Sequence, residues 1–368
     1  MKLVCSQSNL LNGVQTVSKA VPGKTTMSIL QCILINASKD IRLTANDMEL
    51  GIETVVEGDI IEPGMIALDA KTFLDIVRVC KGDEITIETN SSYETILRCE
   101  KTYYKIVGKS GEDFSNLPNI EKLDSIILSQ FTLRELIRQT IFSIADNDTN
   151  KLMTGELFEI NEDKLRVASL DGHRISIRKV YLKNAYPRKK VVVPGKTLNE
   201  ISKILPGDTD KDVVIFFTNK HIVFEFDRTT VVSRLIEGDY FNIDQMLSSD
   251  YETKVTVNKR KFLDGIGRAT VLVKEGDKKP IIINIGDDNM KLKINSTMGS
   301  MDDEIDISKS GKDLMIGFNP KFLIDALRVI DEEEVDIYLV NPKAPCFIKD
   351  SEDSYVYMIL PVNFTTVS

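Results

Sequence analysis

The sequence predicts an α+β protein made of three repeated domains, each with two helices and mostly antiparallel sheet. Three observations support this fold class. The chain has 368 residues, enough for two or three domains at about 150 residues each. Short runs typical of β-strands alternate with single amphipathic helices. A sequence pattern also recurs at an interval of 125 residues, so that three copies roughly fill the chain.

The repeat is defined by three segments that superpose without gaps, 66–79, 191–204 and 316–329. After a short apolar stretch, each segment carries a lysine, an acidic residue and a basic residue at fixed positions: Lys71, Asp75 and Arg78; Lys196, Glu200 and Lys203; Lys321, Asp325 and Arg328. A separate column of isoleucines at 35, 160 and 285 has the same interval. Similar loops beginning at Gly111 and Gly238 mark domain ends and predict domains over residues 1–122, 123–250 and 251–368.

Within a repeat the expected order is strand, helix, three strands, and then the same again. In the first repeat we predict strands at 2–5, 30–35, 41–44 and 49–56 with a helix at 8–20, then strands at 65–68, 84–89, 95–99 and 103–107 with a helix at 71–80. The first helix is predicted by apolar residues at helical spacing, Leu10, Leu11, Val14 and Val17. Over the whole chain the pattern predicts six helices, in the windows 6–20, 69–81, 131–145, 195–205, 258–272 and 320–330.

Positive charge is concentrated on these helices. The chain has a net charge of −9, yet the six windows hold 14 basic and six acidic residues. Basic residues recur seven positions apart, which brings a helix back to within about 20° of the same face. The pairs seven positions apart are Lys71 and Arg78, Lys196 and Lys203, Lys261 and Arg268, and Lys321 and Arg328. Together with Arg134 and Arg138 of the third helix, they form a candidate surface for binding a polyanion. The alternative is a solvated face with i,i+4 ion pairs worth roughly 0.2–0.5 kcal/mol each.

Composition and motif spacing count against several other classes. Five cysteines without a C-x-x-C pair favour a reducing compartment, and only two histidines count against a histidine-rich metal site. Gly23-Lys-Thr and Gly195-Lys-Thr lack the first glycine of a phosphate loop, and the segment from Asp146 lacks the glycine and the glutamate of a calcium loop. The absence of a signal-peptide core and of an apolar span of about 18 residues predicts a cytoplasmic location without membrane contact. We expect no metal and no cofactor.

The segment Asp171-Gly-His-Arg is the one candidate for acid–base chemistry. No serine, cysteine or second histidine lies at a spacing that proposes a partner, so a tight Asp-Gly turn after a strand is favoured. A hydrolase acting through Asp171 and His173 stays the second hypothesis. A scaffold whose basic helices are merely solvated is the third.

Four segments resemble one known family: Ser169-Leu-Asp-Gly-His-Arg-Ile, Pro22-Gly-Lys-Thr, Ile316-Gly-Phe-Asn-Pro-Lys and Tyr357-Met-Ile-Leu-Pro-Val. The chain is similar over essentially its whole length to the β subunit of bacterial DNA polymerase III, the sliding-clamp family. The resemblance implies a head-to-tail homodimer that forms a ring, with the helices lining the hole. It also implies a non-catalytic function, in which the ring encircles duplex DNA without sequence specificity and tethers the replicative polymerase for processivity.

If the helices line a ring, the usual spacing between packed helices favours a dimer over a single chain. Six helices about 9 Å apart would enclose a hole that side chains close, whereas twelve leave room for a duplex whose major groove alone is about 12 Å wide.

The resemblance also assigns site residues. Lys24 falls in one DNA-contacting loop, and Asn147 and Lys151 fall in a second. Val271 and Leu272 are expected to meet Tyr104 and Ile106 across the dimer interface. A partner-peptide pocket maps onto Met153, Leu170, Gly172, His173, Arg174, Ile175, Phe241, Met246, Asn319, Phe322, Met358, Leu360, Pro361 and Val362.

Through that pocket the resemblance implies binding of several proteins by a short motif with a glutamine and two apolar residues. The implied partners are the replicative polymerase catalytic subunit, the clamp loader, translesion polymerases, mismatch-repair proteins and ligase. The residue types suit an apolar peptide groove, although ordinary core packing is the alternative for each apolar member. The chain departs from the family at four positions that concern rim polarity and peptide preference, Leu152, Leu170, Gln245 and Asn363.

Overall fold

The computed structural model describes residues 1–146, 149–207, 211–247, 250–273 and 279–364. The chain divides into two compact units, Met1–Arg134 with Lys196–Leu235, and Glu135–Gly195 with Ile236–Ser368. Every sheet lies within one unit, and every strand pair in the described ranges is antiparallel. The predicted α+β class with antiparallel sheets is therefore confirmed.

The first unit contains two sheets and carries the helices of the first repeat. Its strands and helices begin with β1 (Lys2–Ser6), α1 (Gln7–Val17), β2 (Cys32–Ala37), β3 (Ile41–Asn46), β4 (Leu50–Val56), β5 (Gly58–Glu62), β6 (Gly64–Asp69), α2 (Ala70–Val79), β7 (Glu84–Thr89), β8 (Glu94–Cys99), β9 (Thr102–Val107), β10 (Lys109–Ser110) and β11 (Asp124–Ser129). The chain continues through α3 (Gln130–Thr140), which begins in this unit and ends in the second.

The second unit begins with two long strands, β12 (Gly155–Leu170) and β13 (Arg174–Pro194). After them α4 (Gly195–Ile204) leads back to the first unit, which is completed by β14 (Asp212–Phe217), β15 (His221–Phe226) and β16 (Thr229–Arg234). The rest of the second unit comprises β17 (Thr253–Asn258), α5 (Lys259–Thr270), β18 (Ile281–Ile285), β19 (Asn289–Ser296), β20 (Gly299–Gly311), β21 (Leu314–Phe318), α6 (Pro320–Val329), β22 (Glu334–Leu339), β23 (Cys346–Lys349) and β24 (Tyr355–Ile359).

Many strands that are neighbours in a sheet are also neighbours in the chain. In the first unit the sheets run β5-β1-β7-β8-β9 and β10-β6-β2-β3-β4-β16-β15-β14-β11, and in the second unit one sheet runs β12-β13-β24-β23-β22-β17-β20-β19-β18-β21. The strand β9 is therefore a sheet edge in the first unit, whereas β24 lies between β13 and β23 in the second.

The six α-helices in the described residues follow from apolar stripes and polar caps. In α2 the buried residues are Ala70, Phe73, Ile76 and Val77, the spacing of one helix face. Asp69 caps this helix, since its carboxylate accepts the Thr72 backbone N–H at 2.8 Å. None of the described helices is long and apolar enough to cross a membrane.

Two glycines let the first helix of a repeat pack closely on its sheet. A Cβ on Gly13 in α1 would lie 2.5 Å from Val56, and one on Gly265 in α5 would lie 2.8 Å from Leu292. Both glycines are buried on the sheet-facing side of their helices. A larger residue at either position would therefore require the neighbouring side chain of the sheet to move.

Several predicted element boundaries were wrong. The helix expected over 8–20 ends at Val17 and continues as a 3-10 turn, and the strand expected from residue 30 begins at Cys32 after another such turn. The strand β5 was not predicted, because it has no alternating pattern. It forms where Gly58 approaches the Val4 carbonyl oxygen so closely that a Cβ would lie 2.4 Å from it, which lets the chain pair with β1.

Candidate functional site

The basic residues that recur seven positions apart along a helix, called the basic stripes below, lie opposite the buried faces of their helices. In α6, Leu323, Ala326 and Leu327 are buried, whereas Lys321 and Arg328 are exposed. The same division holds in α5, where Lys261 and Arg268 are exposed. These helices pack together in the second unit, and a groove of about 430 Å³ between them is lined by Arg268, Arg328 and other side chains. One arginine from each of the two helices thereby lines this groove, together with Asp264.

Many of these bases are already held by acidic side chains, as the alternative hypothesis of a solvated face requires. The Arg268 Nε lies 2.9 Å from Asp303, and Arg138 pairs with Glu135 and with Asp331. The remaining pairs are Arg78 with Asp75 at 3.2 Å, Lys203 with Glu200 at 2.8 Å, Lys261 with Asp306 at 3.3 Å, and Lys196 with Asp47.

The other predicted DNA-contacting bases are exposed and make no ion pair within the described ranges: Lys24, Lys71, Arg134, Lys151, Lys321 and Arg328. In the described residues none of these six bases has a carboxylate oxygen within 4 Å, so each can neutralise a phosphate without first breaking an internal pair. Asn147, also predicted here, lies outside the described residues.

The predicted partner-pocket residues all lie in the second unit, some of them buried in an apolar cluster and others exposed at the surface. Leu170, Ile175 and Met358 are buried in one apolar cluster, and Met153 and Phe241 pack against it while half-buried. Asn319 caps α6 one turn before Phe322, which is also half-buried. The exposed residues are Gly172, His173, Met246, Leu360 and Val362, with Pro361 half-buried between the last two.

Arg174 supports the pocket from below. Its guanidinium is only 6% exposed and donates to Asp171 at 2.9 Å, to Asp325 at 2.8 Å and to the Phe142 carbonyl at 2.5 Å. The Phe322 ring lies over it, with its centroid 4.2 Å from the Arg174 Cζ. Arg174 therefore positions an aromatic wall. Asp325 and Phe142, which hold it, were not predicted as site residues, since their role depends on contacts distant in sequence.

The predicted pocket residues Leu360, Pro361 and Val362 lie in the segment that follows β24. The Leu360 N–H donates to the His173 carbonyl at 2.9 Å, and the Val362 N–H donates to the Gly317 carbonyl in β21 at 2.8 Å. Pro361, between them, has no N–H to donate. The segment after β24 thus leaves its sheet neighbours, and Leu360 and Val362 are each 37% exposed. Phe364, in the segment after β24, packs near Gly317 of β21. It is a further candidate for the partner pocket that no sequence pattern indicated.

The contacts of the turn at Asp171 and Gly172 count against acid–base chemistry by Asp171 and His173. One oxygen of Asp171 accepts the backbone N–H groups of His173 and Arg174, and the other accepts the Arg174 Nε. The His173 ring instead stacks on Phe322, with centroids 6.2 Å apart. Asp171 therefore builds the turn that its Asp-Gly sequence predicts.

The first unit contains an equivalent hairpin with different residues at its rim. There the Arg234 N–H donates to the Glu49 carbonyl at 2.9 Å, and Gly51 pairs with Val232, as Leu360 donates to His173 and Ile175 pairs with Met358. The cavity beside it has about 330 Å³. Its rim carries Glu49 and Arg234 in place of His173 and Leu360, and Leu117 occupies the space where a Cβ on Gly51 would lie. The first copy thus differs in two rim residues and is partly filled by Leu117.

The predicted dimer residues lie at two surface positions. Tyr104 and Ile106 on the edge strand β9 are half-buried, and they alternate with Tyr103 and Val107, which are 63% and 75% exposed. Strand alternation on an unpaired edge identifies these two as further interface candidates. Val271 is 75% exposed in the turn after α5, and Leu272 beside it packs partly against the core.

A buried carboxyl lies near the pocket. Both oxygens of Glu156 in β12 are buried, and no group in the described residues donates a hydrogen bond to them. The neighbouring Thr140 hydroxyl donates instead to the Leu136 carbonyl at 2.6 Å. Burial raises the pKa of Glu156 to about 8, and the neighbouring Thr140 opposes this rise. Glu156 in turn raises the pKa of Tyr240, which is itself raised mainly by burial in the apolar cluster of the pocket.

Comparison with known proteins agrees with these features. The chain matches the N-terminal domain of the DNA polymerase III β subunit over residues 1–118, its central domain over 127–242 and its C-terminal domain over 244–363. It is 30% identical to a β sliding clamp of Staphylococcus aureus over 98% of this chain and 99% of that protein.

Solved structures are similar over the same length. A putative DNA polymerase III β subunit of Eubacterium rectale is 69% identical with a TM-score of 0.96, covering 99% of this chain and 100% of that one. A DNA polymerase sliding clamp of Bacillus subtilis is 31% identical with a TM-score of 0.95 and the same coverage. The chain therefore belongs to the DNA polymerase III β-subunit family, the non-catalytic sliding clamps that give a DNA polymerase its processivity.

Proposed function

We propose that two copies of this chain close head to tail into a ring around duplex DNA, with the basic helix stripes facing the phosphates. The observation that carries the proposal is the recurrence, in α2, α5 and α6, of a buried apolar face opposite exposed bases. A surface of this kind attracts any DNA sequence equally, because it meets only the backbone. Retention then depends on topology, since a closed ring cannot leave sideways and weak contacts still permit sliding.

Retention on circular DNA tests the ring. The protein is loaded by a clamp loader onto nicked circular DNA, separated from free protein on a sizing column, and then the DNA is cut once. We expect the protein to stay with the circle and to be lost after linearisation. Equal retention on both forms would mean that the bases bind DNA as an ordinary surface, and equal loss from both would refute the encircling ring.

Salt dependence tests which bases contact phosphates. In the variant Lys71→Ala/Lys321→Ala/Arg328→Ala, three bases without internal ion pairs are removed. The slope of log Kobs against log salt should then fall by about 0.9 for each phosphate that is no longer neutralised. The matched control removes three ion-paired bases instead, Arg78, Lys203 and Arg268, and should change the slope less. If the control variant changed the salt slope more, the ion pairs would have to open on DNA. The ion-paired bases, and not the unpaired ones, would then be the main phosphate contacts.

We infer that the pocket around Leu170, Met358 and Phe322 binds short peptides of partner proteins. Its support is an apolar floor, an aromatic wall and two flexible methionines at the rim, Met153 and Met246, which can repack around different ligands. The partners we propose are the replicative polymerase subunit, the clamp loader, translesion polymerases, mismatch-repair proteins and ligase. Because all of these partners would use the same pocket, we expect them to compete for it.

A labelled peptide tests the pocket directly. The probe is a fluorescein-labelled hexapeptide with one glutamine and two leucines, and anisotropy reports its binding. Leu360→Asp places a charge on the apolar rim and should weaken binding at least tenfold. Arg234→Asp, at the equivalent position of the first-unit hairpin, is the control and should leave affinity within twofold. Unchanged affinity in Leu360→Asp would locate the peptide site elsewhere.

The remaining proposals are that the dimer interface joins Tyr104 and Ile106 of one chain to Val271 and Leu272 of the other, that the protein acts in the cytoplasm, and that it has no catalytic activity of its own. The domain limits proposed for the three repeats are residues 122 and 250.

A further inference from the structure

Two buried cysteines meet in the first unit. Cys80 follows the last residue of α2, and Cys99 is the last residue of β8. Their Sγ atoms lie 2.7 Å apart, and both side chains are buried. The other three cysteines of the chain, Cys5, Cys32 and Cys346, are also buried, and none of them makes such a contact in the described residues. The pair is therefore distinct among the five thiols of the sequence.

The fold itself holds the two sulfurs together. The Cys80 N–H donates to the Ile76 carbonyl at 3.0 Å, which fixes the end of α2, and Cys99 pairs with Thr102 in the β8–β9 hairpin. The Sγ–Sγ distance of 2.7 Å is shorter than the ordinary approach of two unbonded sulfur atoms. A disulfide bond is about 2.05 Å long, so a movement of roughly 0.7 Å would bring the sulfurs to bonding distance.

We propose that Cys80 and Cys99 are a reversible oxidation site that forms an intramolecular disulfide with a peroxide-class oxidant. One thiol loses its proton, and its sulfur attacks a peroxide oxygen, which breaks the O–O bond and releases water as a sulfenic acid forms. The second sulfur then attacks the sulfenic sulfur, the S–O bond breaks, and the hydroxyl leaves as water with the second thiol's proton. In total two thiols and one hydrogen peroxide give one disulfide and two waters, with sulfur oxidised and peroxide reduced.

Access to the pair depends on the two turns that follow the cysteines. The Glu100 side chain lies on Gly82, so closely that a Cβ there would be 2.8 Å from the Glu100 Cγ. Burial, together with the contact with Cys99, raises the pKa of the Cys80 thiol to about 12, so little thiolate forms at neutral pH. Oxidation is therefore slow, and the disulfide is shielded from reductants once it has formed. This behaviour fits a response to sustained oxidant in an otherwise reducing compartment.

The cross-link would join two functional elements. The helix α2 carries Lys71 and Arg78, and β8 is the neighbour of the edge strand β9 with Tyr104 and Ile106. Closing a loop of about 20 residues restricts the unfolded chain, so the unfolding temperature of the first unit should rise by roughly 5–10 °C on oxidation.

Thiol counting on the full chain tests the site. The reduced protein is freed of reductant, treated with hydrogen peroxide, denatured and titrated. We expect the five thiols of the sequence to fall to three, the intact mass to fall by about 2 Da for one disulfide, and digestion to give a linked peptide containing Cys80 and Cys99. Dithiothreitol should restore all five thiols.

Variants separate this pair from other thiol chemistry. Cys80→Ser and Cys99→Ser should each keep four thiols after peroxide, whereas the control Cys5→Ser, which removes an unpaired buried thiol, should fall from four to two. Should a serine variant fail to fold, the wild-type unfolding temperature with and without peroxide still tests the proposal. Five thiols after peroxide, a linkage between other cysteines, or oxygen added to Cys80 without a cross-link would each overturn it.

Discussion

Replacing Glu156 by glutamine tests whether a neutral carboxyl is built into the second unit. Glutamine keeps the shape of the protonated acid but cannot ionise. The folded protein holds the pKa of Glu156 at about 8, against 4.5 for an ordinary glutamate, because the side chain is fully buried and no group in the described residues donates a hydrogen bond to it. At neutral pH the wild-type carboxyl is thus mostly protonated in the folded protein but ionised in the unfolded chain, so Glu156→Gln should already be the more stable protein there, and the two should match only below about pH 4.5.

The magnitude follows from the two pKa values. Since the folded value is the higher one, the stabilisation is complete below pH 4.5 and is lost as the pH rises through 8. Each pH unit inside that interval costs about 1.36 kcal/mol. Between pH 6 and pH 9 the wild type should lose about 3 kcal/mol that Glu156→Gln does not lose. For a unit of this size, the gap in unfolding temperature between the two proteins should therefore widen by roughly 6–12 °C from pH 6 to pH 9.

Thermal unfolding of both proteins at pH 6 and pH 9 provides the measurement, because titrations common to the two cancel in the difference. Glu162→Gln, which changes an exposed glutamate of the same strand, is the control and should track the wild type at both values. If wild type and Glu156→Gln lose the same number of degrees between pH 6 and pH 9, the folded carboxyl is already ionised at pH 6 and burial does not hold its pKa high.

Two further predictions concern the candidate sites. Leu272→Asp places a charge in the proposed dimer interface and should give monomers in analytical ultracentrifugation, whereas a dimer persisting at micromolar concentration would remove this interface assignment. Asp325→Ala leaves the buried Arg174 guanidinium without one of its two carboxylates and should destabilise the second unit by roughly 3 kcal/mol in urea unfolding. Asp75→Ala, at the same repeat position but in an exposed pair, should change stability by less than about 0.5 kcal/mol, and equal effects would contradict the supporting role of Arg174.

The fold was largely predictable because its signals are local and occur three times. The apolar spacing in 71–80 predicts α2 within one residue at each end, and the strand over 84–89 agrees with β7 at both ends. The strands that merge into β12 and β13 were harder to predict, since the repeat shows separate runs. Whether two runs join or switch sheets, as at Gly58, depends on close approaches between distant strands, and no periodicity encodes those.

The candidate sites were predictable in residue type but not in arrangement. Resemblance to a family located His173 and Leu360, and the structure adds that a hydrogen bond joins their backbones. The sequence could not separate Arg174, which supports an aromatic ring from below, from the exposed residues on either side of it. Burial of a charge depends on partners far along the chain, here Asp325, so spacing within a motif carries no information about it.

The ion pairs on the basic stripes bear on how a clamp can hold DNA and still slide. A base that must leave a carboxylate before meeting a phosphate gains little net free energy, because exposed pairs and phosphate contacts are of similar strength in water. Arg78, Lys203 and Lys261 belong to this group, whereas Lys71, Lys321 and Arg328 do not. A surface with only some of its bases uncompensated attracts duplex DNA weakly at every position along it. Weak and uniform attraction lowers the barrier between neighbouring positions, and the closed ring, rather than the charge, then prevents loss of the polymerase from its template.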